Sequence, residues 1–173
     1  MKKDVKCFIG VLFIMLISLS ALYFRGRISQ LCADAIVSAS ILIFMQKYKL
    51  LPSVFYILSI MILSKIFQII NFPIAILSVT IISNIIFVTL YYAISHIFAK
   101  NSVYQKIFTY FTSSVISSAA KFLCLYLIID KNLLNNLEIN ENINYSFGIT
   151  QLYSSLIACV IAIIFYEISK KES

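Results

Sequence analysis

Six apolar runs, each long enough to cross the hydrocarbon core of a bilayer, account for most of the 173 residues of this chain. A membrane-spanning helix needs about 20 such residues, so the runs leave no room for a separate soluble domain. Apolar residues make up 61% of the chain and charged residues 12%, whereas about 45–50% and about 25% are usual in soluble proteins. The composition therefore argues against a water-soluble fold and predicts an integral membrane protein.

The regularity of the runs predicts an all-α fold, a six-helix bundle that forms a single membrane domain over residues 1–173. A helix satisfies its own backbone hydrogen bonds in lipid, and no run shows the two-residue alternation of barrel strands. Pro52 and Pro73 each stand in the first turn of a run, where a missing N–H group costs nothing. The predicted spans are residues 7–24, 29–46, 50–70, 73–98, 103–129 and 146–167.

Positive charges between the runs predict the orientation of the bundle. If the N-terminus is cytoplasmic, nine lysines fall on the inner side and three cations on the outer side. Because inner loops of membrane proteins are rich in Lys and Arg, we expect both termini in the cytoplasm of a multi-pass plasma-membrane protein. The inner residues are Lys2, Lys3, Lys6, Lys47, Lys49, Lys100, Lys106, Lys170 and Lys171, and the outer ones are Arg25, Arg27 and Lys131.

The outer connection between the fifth and sixth runs, residues 130–145, is longer than the other loops and rich in Asn. It is either a solvated connector or a lid over a pocket, because long loops in compact domains often bind ligands. Both interpretations agree with an outward-facing position.

Two charged side chains lie deep within the predicted spans, where an unpaired charge is costly. Asp34 is in the second span, with Gln30 and Ser38 on the same helical face. Lys121 is in the fifth span, after several serines in residues 114–118. Either the two charges form an ion pair with each other, or one or both contact a ligand.

Asn84 and Gln151 are neutral amides within spans, and their burial requires hydrogen-bond partners on another helix or on a ligand. Lys65 is close enough to the outer end of its span to extend to the interface, and His96 is expected at the surface. The four cysteines fall in apolar runs and are expected to be small buried thiols.

Nothing in the sequence predicts catalysis. There is one histidine, and we find no pair of carboxylates on a helix face and no nucleotide-binding motif. We therefore expect no enzyme activity, no catalytic residue, no cofactor, no metal site and no nucleic-acid partner. Binding is the class of function that is left.

Residues 117–129, SSAAKFLCLYLII, and 147–165, FGITQLYSSLIACVIAIIF, form a lysine-bearing helix, an outer loop and a helix that opens with Thr-Gln-Leu. Residues 29–43 contain the segment ADAIV, and residues 72–92 form a Pro-initiated helix with the pair Ser-Asn. Together these segments resemble the substrate-binding subunits, or S components, of energy-coupling factor (ECF) transporters, which are small six-helix bacterial membrane proteins.

The resemblance implies uptake of a vitamin-like micronutrient, bound from the outside and released inward by partners. Those partners are a coupling transmembrane subunit and two ATPase subunits. It places ligand contacts at Asp34, Asn84, Lys121 and Gln151, and Lys121 would suit a carboxylate or phosphate on the ligand. The alternative is a small structural or accessory membrane protein without a small-molecule ligand.

Overall fold

The computed structural model describes residues 2–23, 30–69, 74–97, 103–130 and 149–171, and these ranges are helical apart from short turns. The predicted all-α fold with six helices is confirmed for this part of the chain, which contains no strand. The helices are α1 (Lys2–Tyr23), α2 (Gln30–Tyr48), α3 (Leu50–Ile66), α4 (Ile74–Ile97), α5 (Val103–Asp130) and α6 (Ile149–Lys171).

The helix ends lie within five residues of the predicted runs. The largest difference is at α1, which begins at Lys2 and not at residue 7, because a helix can continue past the apolar run into polar residues. α3 ends four residues early, since Gln68 adopts φ 54° and the Ile69 N–H donates to the Ser64 carbonyl at 2.9 Å, five residues back. Pro52 lies in the first turn of α3 as predicted, and Pro73 lies outside the described residues.

A single residue, Lys49, connects α2 to α3. Its backbone has φ 71° and ψ −176°, a conformation that glycine adopts far more readily than a residue with a Cβ atom. Its N–H group closes the last turn of α2 by donating to the Met45 carbonyl at 2.8 Å. The chain therefore passes from α2 to α3 through a strained backbone position.

α2 is the central helix of the bundle. It packs most extensively against α6 and also contacts α1, α3 and α4, while α4 packs on α5 and α5 on α6. Among the described side chains, α2 carries no large exposed apolar one, whereas each of the other five helices does, as Phe13, Leu51, Ile82, Phe111 and Phe165 illustrate. An apolar exterior of this extent is one that lipid or partner proteins would cover.

Two helical stretches are long and apolar enough to cross a membrane, Leu31–Tyr48 and Ile76–Ile97. Shorter apolar stretches cover Gly10–Tyr23, Leu50–Ile66 and Thr150–Phe165 in the described part of the chain. These stretches agree with membrane association, whereas six crossings and cytoplasmic termini stay predictions.

A hydrogen-bonded cluster joins α1, α2 and α3. The hydroxyl of Ser18 lies 2.6 Å from that of Ser40 and 2.9 Å from that of Tyr56. The Tyr56 hydroxyl also lies 3.2 Å from the Ile14 carbonyl, and its ring stacks on Phe44 with the ring centroids 4.4 Å apart. This cluster fixes α1 against the rest of the bundle.

The cysteines only partly follow the sequence prediction. Cys159 is fully buried and Cys124 half-buried, but Cys32 is exposed, so the expectation that all four thiols are buried is wrong. A thiol is apolar enough to face outward from an apolar bundle, and its apolar neighbours in the sequence do not decide its direction. The side chain of Cys7 lies outside the described residues.

Candidate functional site

The four polar residues predicted to contact a ligand lie on four helices. Asn84 on α4, Lys121 on α5 and Gln151 on α6 are 3%, 2% and 6% exposed, and Asp34 on α2 is half-buried. Burying an amide or an ammonium group is costly unless the group is hydrogen-bonded. The hydrogen-bond partners of these side chains therefore decide whether the cluster joins helices or binds a ligand.

Asp34 and Gln151 contact each other across the α2–α6 interface. The Gln151 Nε2 atom donates to the Asp34 Oδ2 atom over 2.6 Å. At the same point on α6, the Gln151 carbonyl accepts hydrogen bonds from the hydroxyls of Ser154, at 3.1 Å, and Ser155. The polar start of α6 is thus joined to α2 by a hydrogen bond to a carboxylate, a stronger type than one between neutral groups.

Lys121 extends from α5 into the interior of the bundle. Its Nζ atom donates to the Ser38 hydroxyl on α2 at 3.0 Å and stands 5.3 Å from the centre of the Phe87 ring on α4. A cation over an aromatic face gains electrostatic stabilisation when both are removed from water. A single ammonium group therefore contacts two other helices.

The two polar contacts on α2 lie on the same side of that helix. Asp34 and Ser38 are four residues apart, which places their Cβ atoms about 5–6 Å apart on one helical face. The Lys121 ammonium is held at Ser38, so it stands within electrostatic reach of the Asp34 carboxylate. The ion pair and the ligand contact that the sequence left as alternatives both stay predictions.

One buried polar atom close to the Lys121–Phe87 contact makes no hydrogen bond to the described part of the protein. It is Asn84 Oδ1, an acceptor. Asn84 precedes Phe87 by three residues on α4, so it shares a helical face with the cation–ring contact. The Ser118 hydroxyl, one turn before Lys121 on α5, is directed at the Cys159 thiol on α6. Buried polar atoms are nearly always paired, so Asn84 Oδ1 is a candidate for a ligand or water contact.

The cluster, which we call the polar site, lies toward one end of the bundle. Asp34 is the fifth residue of α2 and Gln151 the third of α6, while Lys121 lies in the second half of α5. In the predicted orientation this is the outer end. The predicted lid, residues 130–145, begins at the last residue of α5 and otherwise lies outside the described residues.

Other sequence predictions concern the edges of the bundle. His96 is exposed as expected, with its ring 4.3 Å from that of Tyr92, and Lys65 is partly exposed.

Ser38 was expected to share the face of Asp34, but Phe87 was not foreseen as a partner of Lys121. Phe87 carried no distinguishing signal, because it is one aromatic among many in apolar runs.

Within the described residues, no group of three or more His, Cys, Asp or Glu side chains could hold a metal ion. Comparison of the chain with protein-family models, with curated proteins and with solved structures gave no match.

Proposed function

We propose that this protein is the membrane-embedded substrate-binding subunit of an ECF-type uptake transporter. It binds a vitamin-like micronutrient from the outside, at the polar site, as a multi-pass protein of the plasma membrane. A coupling transmembrane subunit and two ATPase subunits drive release of the ligand to the inside. The chain itself is a binding protein and not an enzyme.

The observation that carries the proposal is the burial of Lys121 inside the bundle. A lysine in an apolar helix is expensive, so its position, 2% exposed and 3.0 Å from Ser38, calls for a role. The Asn84 Oδ1 atom makes no hydrogen bond to the described residues and is an additional acceptor that a ligand would satisfy. A few polar groups that converge among apolar side chains are typical of small-molecule sites.

The chemistry of the polar site favours a ligand that carries a carboxylate or a phosphate together with hydrogen-bonding ring atoms. The Lys121 ammonium, which donates to Ser38, carries the positive charge that such an anion would complement. Asn84 offers an acceptor to a ligand N–H or O–H group. Asp34 and Gln151 are joined to each other, so they would either orient the site or exchange this bond for one to the ligand.

A second candidate function is a structural or accessory membrane protein without a small ligand. The contact between Gln151 and Asp34 and the contact between Lys121 and Ser38 favour it, because they link helices α2, α5 and α6. Interhelical hydrogen bonds of this kind stabilise membrane bundles. On this view the polar residues specify how the helices pair.

The test is to purify the protein in mild detergent and to identify co-purifying small molecules by mass spectrometry. We expect a compound with a carboxylate or phosphate group, present at near-stoichiometric amounts in the wild-type protein and at least tenfold lower in Lys121→Met. Lys47→Met is the matched control, because Lys47 is exposed near the other end of α2. Circular dichroism and gel filtration check that each variant is folded.

A second arm of the experiment addresses the partners. Affinity purification from the native membrane is expected to recover a membrane subunit and two ATPases together with this chain. Absence of any bound small molecule, or equal amounts in the wild-type and Lys121→Met proteins, contradicts the binding proposal and supports the structural one.

A further inference from the structure

A cavity of about 380 Å³ opens at the end of the bundle opposite the polar site. It lies where α2 passes into α3, between the last turns of α4 and the first half of α5. Its volume is within the range of about 300–1,000 Å³ that is usual for small-molecule sites. The lining residues are Met45, Gln46, Lys49, Tyr91, Tyr92, Ser95, His96 and Tyr110.

A buried hydroxyl lies at the floor of this cavity. Tyr91 is 1% exposed, and its hydroxyl is directed at the Gln46 side chain, which also lines the cavity. A tyrosine hydroxyl normally finds a partner when it is buried. The floor therefore provides a hydroxyl and an amide that can form hydrogen bonds with a ligand.

The rim of the cavity carries the positive charge of Lys49. Lys49 and His96 are exposed and line the cavity together, and no Asp or Glu is among its lining residues. The side chain of the neighbouring Lys47 extends toward α1 and does not line the cavity. Its Nζ atom lies 5.4 Å from the Tyr48 ring centre and close to Gly10, 3.5 Å from the position that a Cβ atom on this glycine would take. Of these two lysines, only Lys49 lines the cavity.

The backbone at Lys49 gives a second reason to treat this residue as functional. Its φ of 71° is unfavourable for any residue except glycine, and such strain often persists at ligand sites. A glycine would relieve the strain but would remove the ammonium group. The position thus retains a positive charge where the backbone would favour glycine.

From this geometry we propose a second binding site, the inner pocket, for a phosphate-bearing anion with an apolar or planar body. Lys49 and His96 contact the phosphate, the Tyr91 and Gln46 side chains donate hydrogen bonds, and Met45 packs against the body. In the proposed orientation the inner pocket faces the cytoplasmic leaflet, where anionic lipids concentrate. The phosphate source is either a lipid headgroup or a soluble phosphate ester.

The inner pocket is separate from the polar site. Met45 lies seven residues beyond Ser38 on α2, which corresponds to about 10 Å along the helix axis. Between the two sites, α2 and α4 contribute an apolar layer of four side chains, each at most 1% exposed: Ile41, Leu42, Phe87 and Val88. The inner pocket can therefore be tested without touching any residue of the proposed micronutrient site.

The experiment is a binding titration of the detergent-purified protein by native mass spectrometry. The probes are short-chain phosphatidylglycerol, phosphatidylcholine of the same chain length and phenyl phosphate. We expect phosphatidylglycerol or phenyl phosphate to bind at least tenfold more tightly than phosphatidylcholine. Preference for phosphatidylglycerol alone identifies a lipid headgroup as the source, and tight binding of phenyl phosphate identifies a soluble ester.

Variants at the inner pocket connect the binding to the residues. Lys49→Met is expected to lower the affinity for the preferred probe at least tenfold, and Tyr91→Phe about threefold. Lys47→Met is expected to leave the affinity unchanged. If Lys49→Met does not fold, Lys49→Gly removes the same charge with a backbone suited to φ 71°. Equal binding of all three probes, or full affinity in the Lys49 variants, overturns the proposal.

Discussion

The position of the Lys121 ammonium beside the Asp34 face of α2 predicts a measurable energetic coupling between the two charges. Lys121 extends from α5 to Ser38, which is one helical turn from Asp34. For a separation on the order of 7 Å and an effective dielectric constant of about 20, the attraction is about 2 kcal/mol. A double-mutant cycle measures this quantity directly.

The cycle uses Asp34→Asn, Lys121→Met and the double variant in the ligand-free protein. Asn keeps an oxygen that accepts the hydrogen bond from Gln151, so this substitution mainly removes the charge. We expect Asp34→Asn to destabilise the fold by about 2 kcal/mol when Lys121 is present, because a buried cation then loses its compensating charge. The same substitution should cost much less in Lys121→Met.

The assay is reversible unfolding in mixed detergent micelles with increasing sodium dodecyl sulfate, followed by circular dichroism. Lys47→Met combined with Asp34→Asn is the control pair, since Lys47 lies about 20 Å from Asp34 along α2 and should show no coupling. A coupling energy below about 0.5 kcal/mol for Asp34 and Lys121 would refute the reasoning, because it is no larger than ordinary additivity error.

Three further predictions concern the fold. Tyr56→Phe should destabilise the bundle by about 0.5–1.5 kcal/mol in the same unfolding assay, because it removes one hydroxyl from the cluster that joins α1, α2 and α3 and keeps the ring. Tyr153→Phe, at an exposed position, is the control and should leave the unfolding free energy unchanged. Ala158→Leu, at a fully buried position of α6, should cost about 1–3 kcal/mol through overpacking, and an unchanged midpoint would contradict the close packing. Lys49→Gly should be about 1 kcal/mol more stable than Lys49→Ala, because glycine adopts a φ of 71° without steric strain. Equal stabilities of the two variants would show that the backbone at this position is unstrained.

Much of the helical architecture could be predicted because each apolar run is bounded by polar residues. The direction in which each helix turns its apolar side chains could not, since apolar residues cover both the inside and the outside of this bundle. Polar residues were better markers: Lys121, Asn84 and Gln151 were predicted inside spans and are buried. Cys32 shows the converse, because an apolar context did not keep it inside.

The partners within the polar site were only partly predictable. The shared face of Asp34 and Ser38 follows from helical spacing, but the contact of Lys121 with Ser38 depends on how α5 sits against α2. The inner pocket was missed for a similar reason. His96 was interpreted by itself as a surface residue, and only the packing of α2, α4 and α5 brings it together with Lys49 and Tyr91.

The apolar layer formed by Ile41, Leu42, Phe87 and Val88 has a consequence for transport. Tightly packed aliphatic and aromatic groups exclude water, so these four side chains leave no hydrated path between α2 and α4 at this level. If the proposed function holds, a ligand could pass between these two helices only when they separate from each other.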